Sequence, residues 1–162
     1  MKLLPELIDR FNSGEIVYSL AADSDVEDLT SFFSSQPKSA FEFFKPHDFD
    51  RISLRALINQ ESFIMTIART DDQVVGYAFL RCFANGKSFR GKIVDVKYRG
   101  KGIAKTFGKL TMEIAQTLGI GLFGTISKKN ISSLESSKSS NTIKVIKELP
   151  NDYILIRYFP KA

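Results

Sequence analysis

The apolar run Lys92-Ile93-Val94-Asp95-Val96 leads into Arg99-Gly100-Lys101-Gly102-Ile103-Ala104, and an amphipathic stretch follows at once. No other feature constrains the fold as much, because it commits the chain to a β-to-α junction. From about Gly102 to Leu118, the residues Ile103, Phe107, Leu110, Ile114 and Leu118 recur at helical spacing and form one apolar stripe. Lys105, Lys109, Glu113 and Gln116 take the opposite face, and Gly119 ends the helix as a C′ residue. Leu122-Phe123-Gly124-Thr125-Ile126 then reads as a strand. Strand, helix and strand make a βαβ unit with a right-handed crossover and parallel strands. Closely spaced glycines let the backbone approach a ligand with no Cβ in the way. The helix start adds free N–H groups and a positive dipole end, which suit a phosphate or pyrophosphate.

The rest of the chain reads as helices and antiparallel strands. Pro5 to Asn12 predicts a short helix, and Ile16 to Ala21 a first strand. Asp23 or Ser24 caps a helix that turns Val26, Leu29, Phe32 and Phe33 to one side. Ala40 to Phe44 reads as helical until Pro46 stops it. Asp48 or Asp50 caps a further helix that buries Ile52, Leu54, Leu57 and Ile58. Phe63–Ala68 and Val74–Leu80 flank Asp71-Asp72-Gln73 as a hairpin, and Asn85-Gly86 marks the next turn. The serine-rich piece from Asn130 to Ser140 predicts a short, partly exposed helix. Ile143–Ile146 and Tyr153–Tyr158 close the chain as a hairpin around Pro150-Asn151. The 162 residues fit one domain, 1–162, without a visible repeat or internal boundary.

Composition narrows the function classes. One cysteine, Cys82, excludes an internal disulfide framework, and with a single histidine, His47, it argues against structural zinc. No secretory signal or run of about 18 apolar residues is visible, so the expectation is a cytoplasmic protein without membrane or metal. The net charge of +5 gathers at Lys97, Arg99, Lys101, Lys105 and Lys109, around the glycine turn. A polyphosphate ligand accounts for that gathering. No interleaving of basic and aromatic residues or helix-turn-helix spacing points to nucleic acid.

Three glycine-rich phosphate cradles compete for the turn. A Walker A loop fails because Ala104 precedes Lys105-Thr106 and Arg99 stands where its first glycine belongs. A dinucleotide fingerprint fails because Lys105 stands where its third glycine belongs. The third pattern, Arg/Gln-x-x-Gly-x-Gly/Ala, is satisfied at each defined position by Arg99 to Ala104. With the order of elements around it, and with Asn130-Ile131-Ser132-Ser133 after the next strand, the chain resembles the GCN5-related N-acetyltransferases. The likeness spans about Phe63 to Tyr158, with the N-terminal third matching only in its order of elements. It implies an α+β fold: a mixed, mostly antiparallel twisted sheet with one parallel βαβ unit, flanked by helices.

The resemblance implies acetyl-coenzyme A as acyl donor across the splayed ends of the parallel strands. Arg99, Gly100, Lys101, Gly102, Ile103 and Ala104 would hold the pyrophosphate, with Thr106 adding a hydroxyl. The pantetheine arm would pair with the strand at Ile93 and Val94, and Asn130 and Ser133 would flank it. An N–H near Val94 would polarise the thioester carbonyl. Asn130 reads equally well as a plain helix cap. The implied reaction is direct attack by the primary amine of a small molecule, an amino sugar among the candidates, in a ternary complex. The implied assembly is a monomer or homodimer.

The proton-transfer groups are where the pattern thins. Many members of the family carry a glutamate on the strand before the loop, yet Ser88 to Val94 holds no acid. Many also place a tyrosine seven residues after the helix asparagine, and Ser137 stands there. His47, which titrates near neutrality, and Asp95, at the strand end, are the remaining candidates. These departures leave a second reading open, a non-catalytic acyl-coenzyme A sensor or scaffold.

Overall fold

A computed structural model describes residues 3–162 of the protein. Seven strands form one sheet: β1 (Val17–Leu20), β2 (Phe63–Thr70), β3 (Gln73–Cys82), β4 (Lys87–Val94), β5 (Gly121–Ser127), β6 (Asn141–Leu149) and β7 (Tyr153–Pro160). Their order is β1-β2-β3-β4-β5-β7-β6. Every neighbouring pair is antiparallel except β4 and β5. The helices are α1 (Leu3–Asp9), α2 (Val26–Ser35), α3 (Arg51–Ile58), α4 (Ile103–Thr117) and α5 (Ile131–Ser140). The fold class read from the sequence is the one observed. Among the described residues no helix is long and apolar enough to cross a membrane.

Each sheet face carries its own core. The βαβ crossover lays α4 on one face, where Ile103, Phe107, Leu110 and Ile114 are buried against Val75, Ala78, Val94 and Leu122. Burying each such side chain contributes about 1.5–3 kcal/mol. The other face carries α2 and α3, whose Leu29, Phe32, Phe33 and Leu54 pack on Phe63, Ile67, Tyr77 and Phe79. Arg69 on β2 ties the start of α2 to the sheet through Asp25, at 2.6 Å, and Asp28, at 2.9 Å.

Several boundaries differ from the sequence reading for physical reasons. The helix expected over Ala40–Phe44 is only a 3-10 turn at Lys38–Phe41, because Phe41 and Phe44 pack separately onto the second core. Ile52 is 82% exposed, since it lies two residues from Leu54 and so falls on the far side of α3. Leu118 is exposed because it caps α4 instead of continuing it. Helix α1 stops at Asp9, short of Asn12, and β4 stops at Val94. Asp95 ends β4 by accepting the Lys97 N–H at 2.8 Å and starting the 3-10 turn Val96–Tyr98.

Helices α4 and α5 approach closely at Gly108. A Cβ there would run into Ser140 Oγ and lie 2.6 Å from Ser140 Cβ, which is fixed to the α5 backbone. In an ordinary helix interior glycine-to-alanine is stabilising by up to about 1 kcal/mol. At this position overpacking of about 1–3 kcal/mol outweighs that gain. Gly108→Ala is therefore expected to lower the denaturant midpoint, and an unchanged or raised midpoint would contradict the close contact.

Candidate functional site

The parallel ladder between β4 and β5 holds only from Lys87–Gly121 to Phe89–Phe123. Beyond it β4 stays paired with β3 as far as Val94–Gly76, and β5 with β7 as far as Ser127–Tyr153. Each strand follows its antiparallel partner, so the two separate and a cleft of about 480 Å³ opens between them. Its floor is Arg90 to Val94 on β4 and Thr125 to Ser127 on β5. The glycine loop closes one end, α5 one flank, and the Ser39–Phe44 segment the far side. The Asp95 N–H donates to Val75 O at 2.8 Å, toward β3. Backbone groups alternate along a strand, so the N–H groups of Lys92 and Val94 point the other way, into the cleft.

The loop is shaped as a cradle. Gly100 and Gly102 take φ of 80° and 82°, and a Cβ on either would meet nothing within 4 Å. Gly102 is the N-cap of α4 and brings no capping side chain, so the first-turn N–H groups stay open. Ile93, Val94, Arg99, Gly100, Gly102, Ile103, Ala104, Asn130 and Ser133 all line the cleft. Lys101 does not; its ammonium lies over the Tyr98 ring, 5.4 Å from the centroid. Thr106 does not either, because its hydroxyl donates to Gly102 O at 3.1 Å. Asn130 caps α5, with Oδ1 accepting from the Ser133 N–H at 3.3 Å.

Both proton-transfer candidates from the sequence sit elsewhere. His47 lines neither this cleft nor the cavity beside it. Its ring is enclosed by Phe33, Phe49, Phe63, Tyr77 and Phe79. Nδ1 lies 2.7 Å from Asp48 O and Nε2 lies 2.8 Å from the Tyr77 hydroxyl. A carbonyl only accepts, so Nδ1 carries the hydrogen and Nε2 accepts from Tyr77. Burial holds the imidazole below its ordinary value and holds the Tyr77 phenol well above its own. Asp95 is buried too, with one oxygen accepting from Gln36 Nε2 at 2.9 Å and the other from the Lys97 N–H. Neither residue lines the cleft.

Three polar groups that the sequence reading passed over do face the cleft. Arg90 is 8% exposed, and its guanidinium stacks on Tyr158 at 3.7 Å from the ring centroid. Its Nη1 donates to Gly108 O, Thr111 Oγ1 and Asn141 Oδ1, while Nη2 and Asn141 Nδ2 have no partner among the described residues. Lys92 donates to Ala104 O and to Ser136 Oγ, each at 2.9 Å. Burial, with Arg90 nearby as a like charge, pulls its amine down to about 7. Among the described residues Glu42 is the one carboxylate lining the cleft, and it also lines an adjoining cavity of about 500 Å³. That second cavity is walled by Phe43, Phe44, Phe79, Phe83 and Phe89, with Lys45 and Arg81 on its rim. A polar residue mid-strand gives no sequence signal of facing a cleft, and Glu42 lies in a segment without regular periodicity.

No protein-family model matches the chain, and no curated protein does. Solved structures do match in shape. The PaiA N-acetyltransferase of Thermoplasma acidophilum, in complex with coenzyme A, superposes with a TM-score of 0.75 at 16% identity, covering 89% of this chain and 98% of that one. The GNAT domain of S. lividans PAT gives 0.74 at 14% identity, with 89% of each chain covered. The fold is that of the GCN5-related N-acetyltransferases. An aminoglycoside acetyltransferase, AAC(6')-Ib, in complex with coenzyme A and kanamycin, gives 0.68 at 12% identity, covering 90% of this chain and 95% of that one. In this GCN5-related fold the divergence of β4 and β5 accounts for the cleft, and the uncapped start of α4 lies at its mouth.

His47 generates a stability prediction. Its folded-state value is depressed, so the neutral ring contributes stability above the unfolded value of about 6.5. That contribution is lost as pH falls below it, because protonated Nε2 no longer accepts from Tyr77. The melting temperature is therefore expected to drop from pH 7 to pH 5, and His47→Gln to show a smaller drop. Equal slopes for the two proteins would overturn the assignment.

Proposed function

We propose that the protein is an acetyl-coenzyme A-dependent N-acetyltransferase acting on the primary amine of a small molecule. The observation that carries this reading is the cleft between diverging parallel strands, with an uncapped, glycine-led helix N-terminus at its mouth. That mouth fits a diphosphate: open amides, a positive dipole end, and two cleft-lining glycines with open space where a Cβ would stand. Arg99 adds a positive charge beside it. The inward N–H groups of Lys92 and Val94 fit the amide-bearing arm of coenzyme A, and the Val94 N–H fits the thioester carbonyl. The donor supplies an activated acetyl group, and the protein supplies position, charge and proton transfer.

The acceptor enters from the side of the second cavity. Glu42 stands where the two cavities meet, placed to hold an ammonium group and to take its proton before the amine attacks. The Phe-lined wall fits an apolar or ring-bearing body. Lys45 and Arg81 on the rim disfavour a polycation, so among amino sugars the reading favours those with one amine. Titratable groups at the centre of the cleft support catalysis over a purely sensing role.

Acetyl-coenzyme A at about 100 times its dissociation constant adds about 2.7 kcal/mol, or roughly 5–11 °C in melting temperature for a domain of this size. Gly102→Glu is expected to abolish that shift, through a repelled diphosphate and a strained φ. No shift in the unaltered protein would overturn the reading. Glu42→Gln is expected to keep the shift while lowering coenzyme A release with a panel of mono-amines by about 100-fold. Undiminished release would remove Glu42 from the reaction.

A further inference from the structure

Two cations face the interior of the cleft without an anion to balance them. Among the described residues neither Arg90 nor Lys92 has a carboxylate within ion-pair distance, whereas Arg69 has two. The groups around Lys92 are the Arg90 guanidinium on its own strand, the Ala104 carbonyl on α4, and the Ser136 and Ser137 hydroxyls on α5. Lys105 and Arg99 add positive charge at the loop end, Tyr158 contributes a phenol from β7, and Glu42 stands on the opposite wall. A neutral amine has two N–H groups, which the Ala104 carbonyl and the Ser136 hydroxyl satisfy. An ammonium has a third N–H, for which the described residues supply no acceptor. A half-buried positive charge with an unspent donor is complementary to an anion that exists only during turnover.

Acyl transfer produces such an anion here. We propose that Lys92 is the catalytic acid of the cleft, receiving the sulfur of coenzyme A as it leaves and giving it a proton. The inference rests on the acyl-transfer reading. In the step, the acceptor nitrogen bonds to the acyl carbon and the carbon–sulfur bond breaks, its electron pair going to sulfur. A proton then passes from Lys92 Nζ to that sulfur and leaves a neutral amine, which solvent reprotonates. The proton lost by the attacking nitrogen leaves on the acceptor side, past Glu42. Lys92 lies two residues from Val94, about 7 Å along the strand, and its own N–H also points into the cleft. Ser137 is buried and too short to donate across it. An amine near 7 exchanges protons readily at neutral pH, which suits the role the geometry gives it.

The test starts from the thiol of bound coenzyme A, titrated by its thiolate absorbance. Bound to the unaltered protein, the thiol is expected to ionise at lower pH than free coenzyme A. Lys92→Met, which keeps the length of the side chain, is expected to raise that value by about one pH unit. Lys92→Arg is expected to keep the lowered thiol value yet release coenzyme A about 100-fold more slowly with the mono-amine panel, because a guanidinium does not give up its proton. An unmoved thiol titration in Lys92→Met, or full turnover in Lys92→Arg, overturns the proposal. If coenzyme A binds and only these responses are missing, the acyl-transfer reading survives without it. If the unaltered protein does not bind coenzyme A, both fall together.

Discussion

The site depends on a pair of parallel strands that stop hydrogen-bonding to each other after three residue pairs. Had the β4–β5 ladder continued, its main-chain groups would be consumed in the sheet and no cleft would exist. The divergence is held from outside. β4 is locked to β3 through seven successive pairs and β5 to β7 through six, so each strand keeps the direction its antiparallel partner imposes. Helix α4 then fixes the width of the gap, because its buried stripe sits on both strands at once. The backbone amides of Lys92 and Val94, the loop at Gly102 and the start of α5 therefore all belong to one mechanical unit.

Electrostatics follow from the same geometry. Opening the strands leaves Arg90 and Lys92 on the floor of a partly dry cleft, where charge is poorly solvated. Arg90 is kept in place by a ring face and three oxygens, and its charge in turn depresses the Lys92 amine. Glu42, the acid of the lining among the described residues, lies across the opening. Positive charge on the floor and one carboxylate across the opening give the cleft two sides of opposite sign.

What could be read from the sequence was what is local. Arg99 to Ala104 and the stripe from Ile103 to Ile114 are short-range patterns, and a βαβ unit with its right-handed crossover follows from them. Asp71 and Asp72, with φ of 49° and 60°, form the hairpin turn that their residue types suggested. Side chains assigned by proximity in sequence fared differently. Asp95 was adjacent to the loop, but Gln36, far away in the chain, claims its carboxylate. His47 was the lone histidine, but Tyr77 and the Asp48 carbonyl hold both of its nitrogens inside an aromatic shell. Lys92 carried no signal, because the groups that enclose its amine, the Ala104 carbonyl on α4 and the Ser136 hydroxyl on α5, come later in the chain.

The docking of α5 on α4 explains the serine-rich composition from Asn130 to Ser140. The helix has a weak apolar face, and its buried positions are Ser137 and Ser140. Small hydroxyl side chains let it press against α4 at Gly108, closer than a bulkier residue allows. They also give it the Ser136 oxygen that receives Lys92. A large ring at 137 would enter the same cleft that Lys92 lines, so a short residue on α5 and a long amine on β4 are two sides of one packing solution.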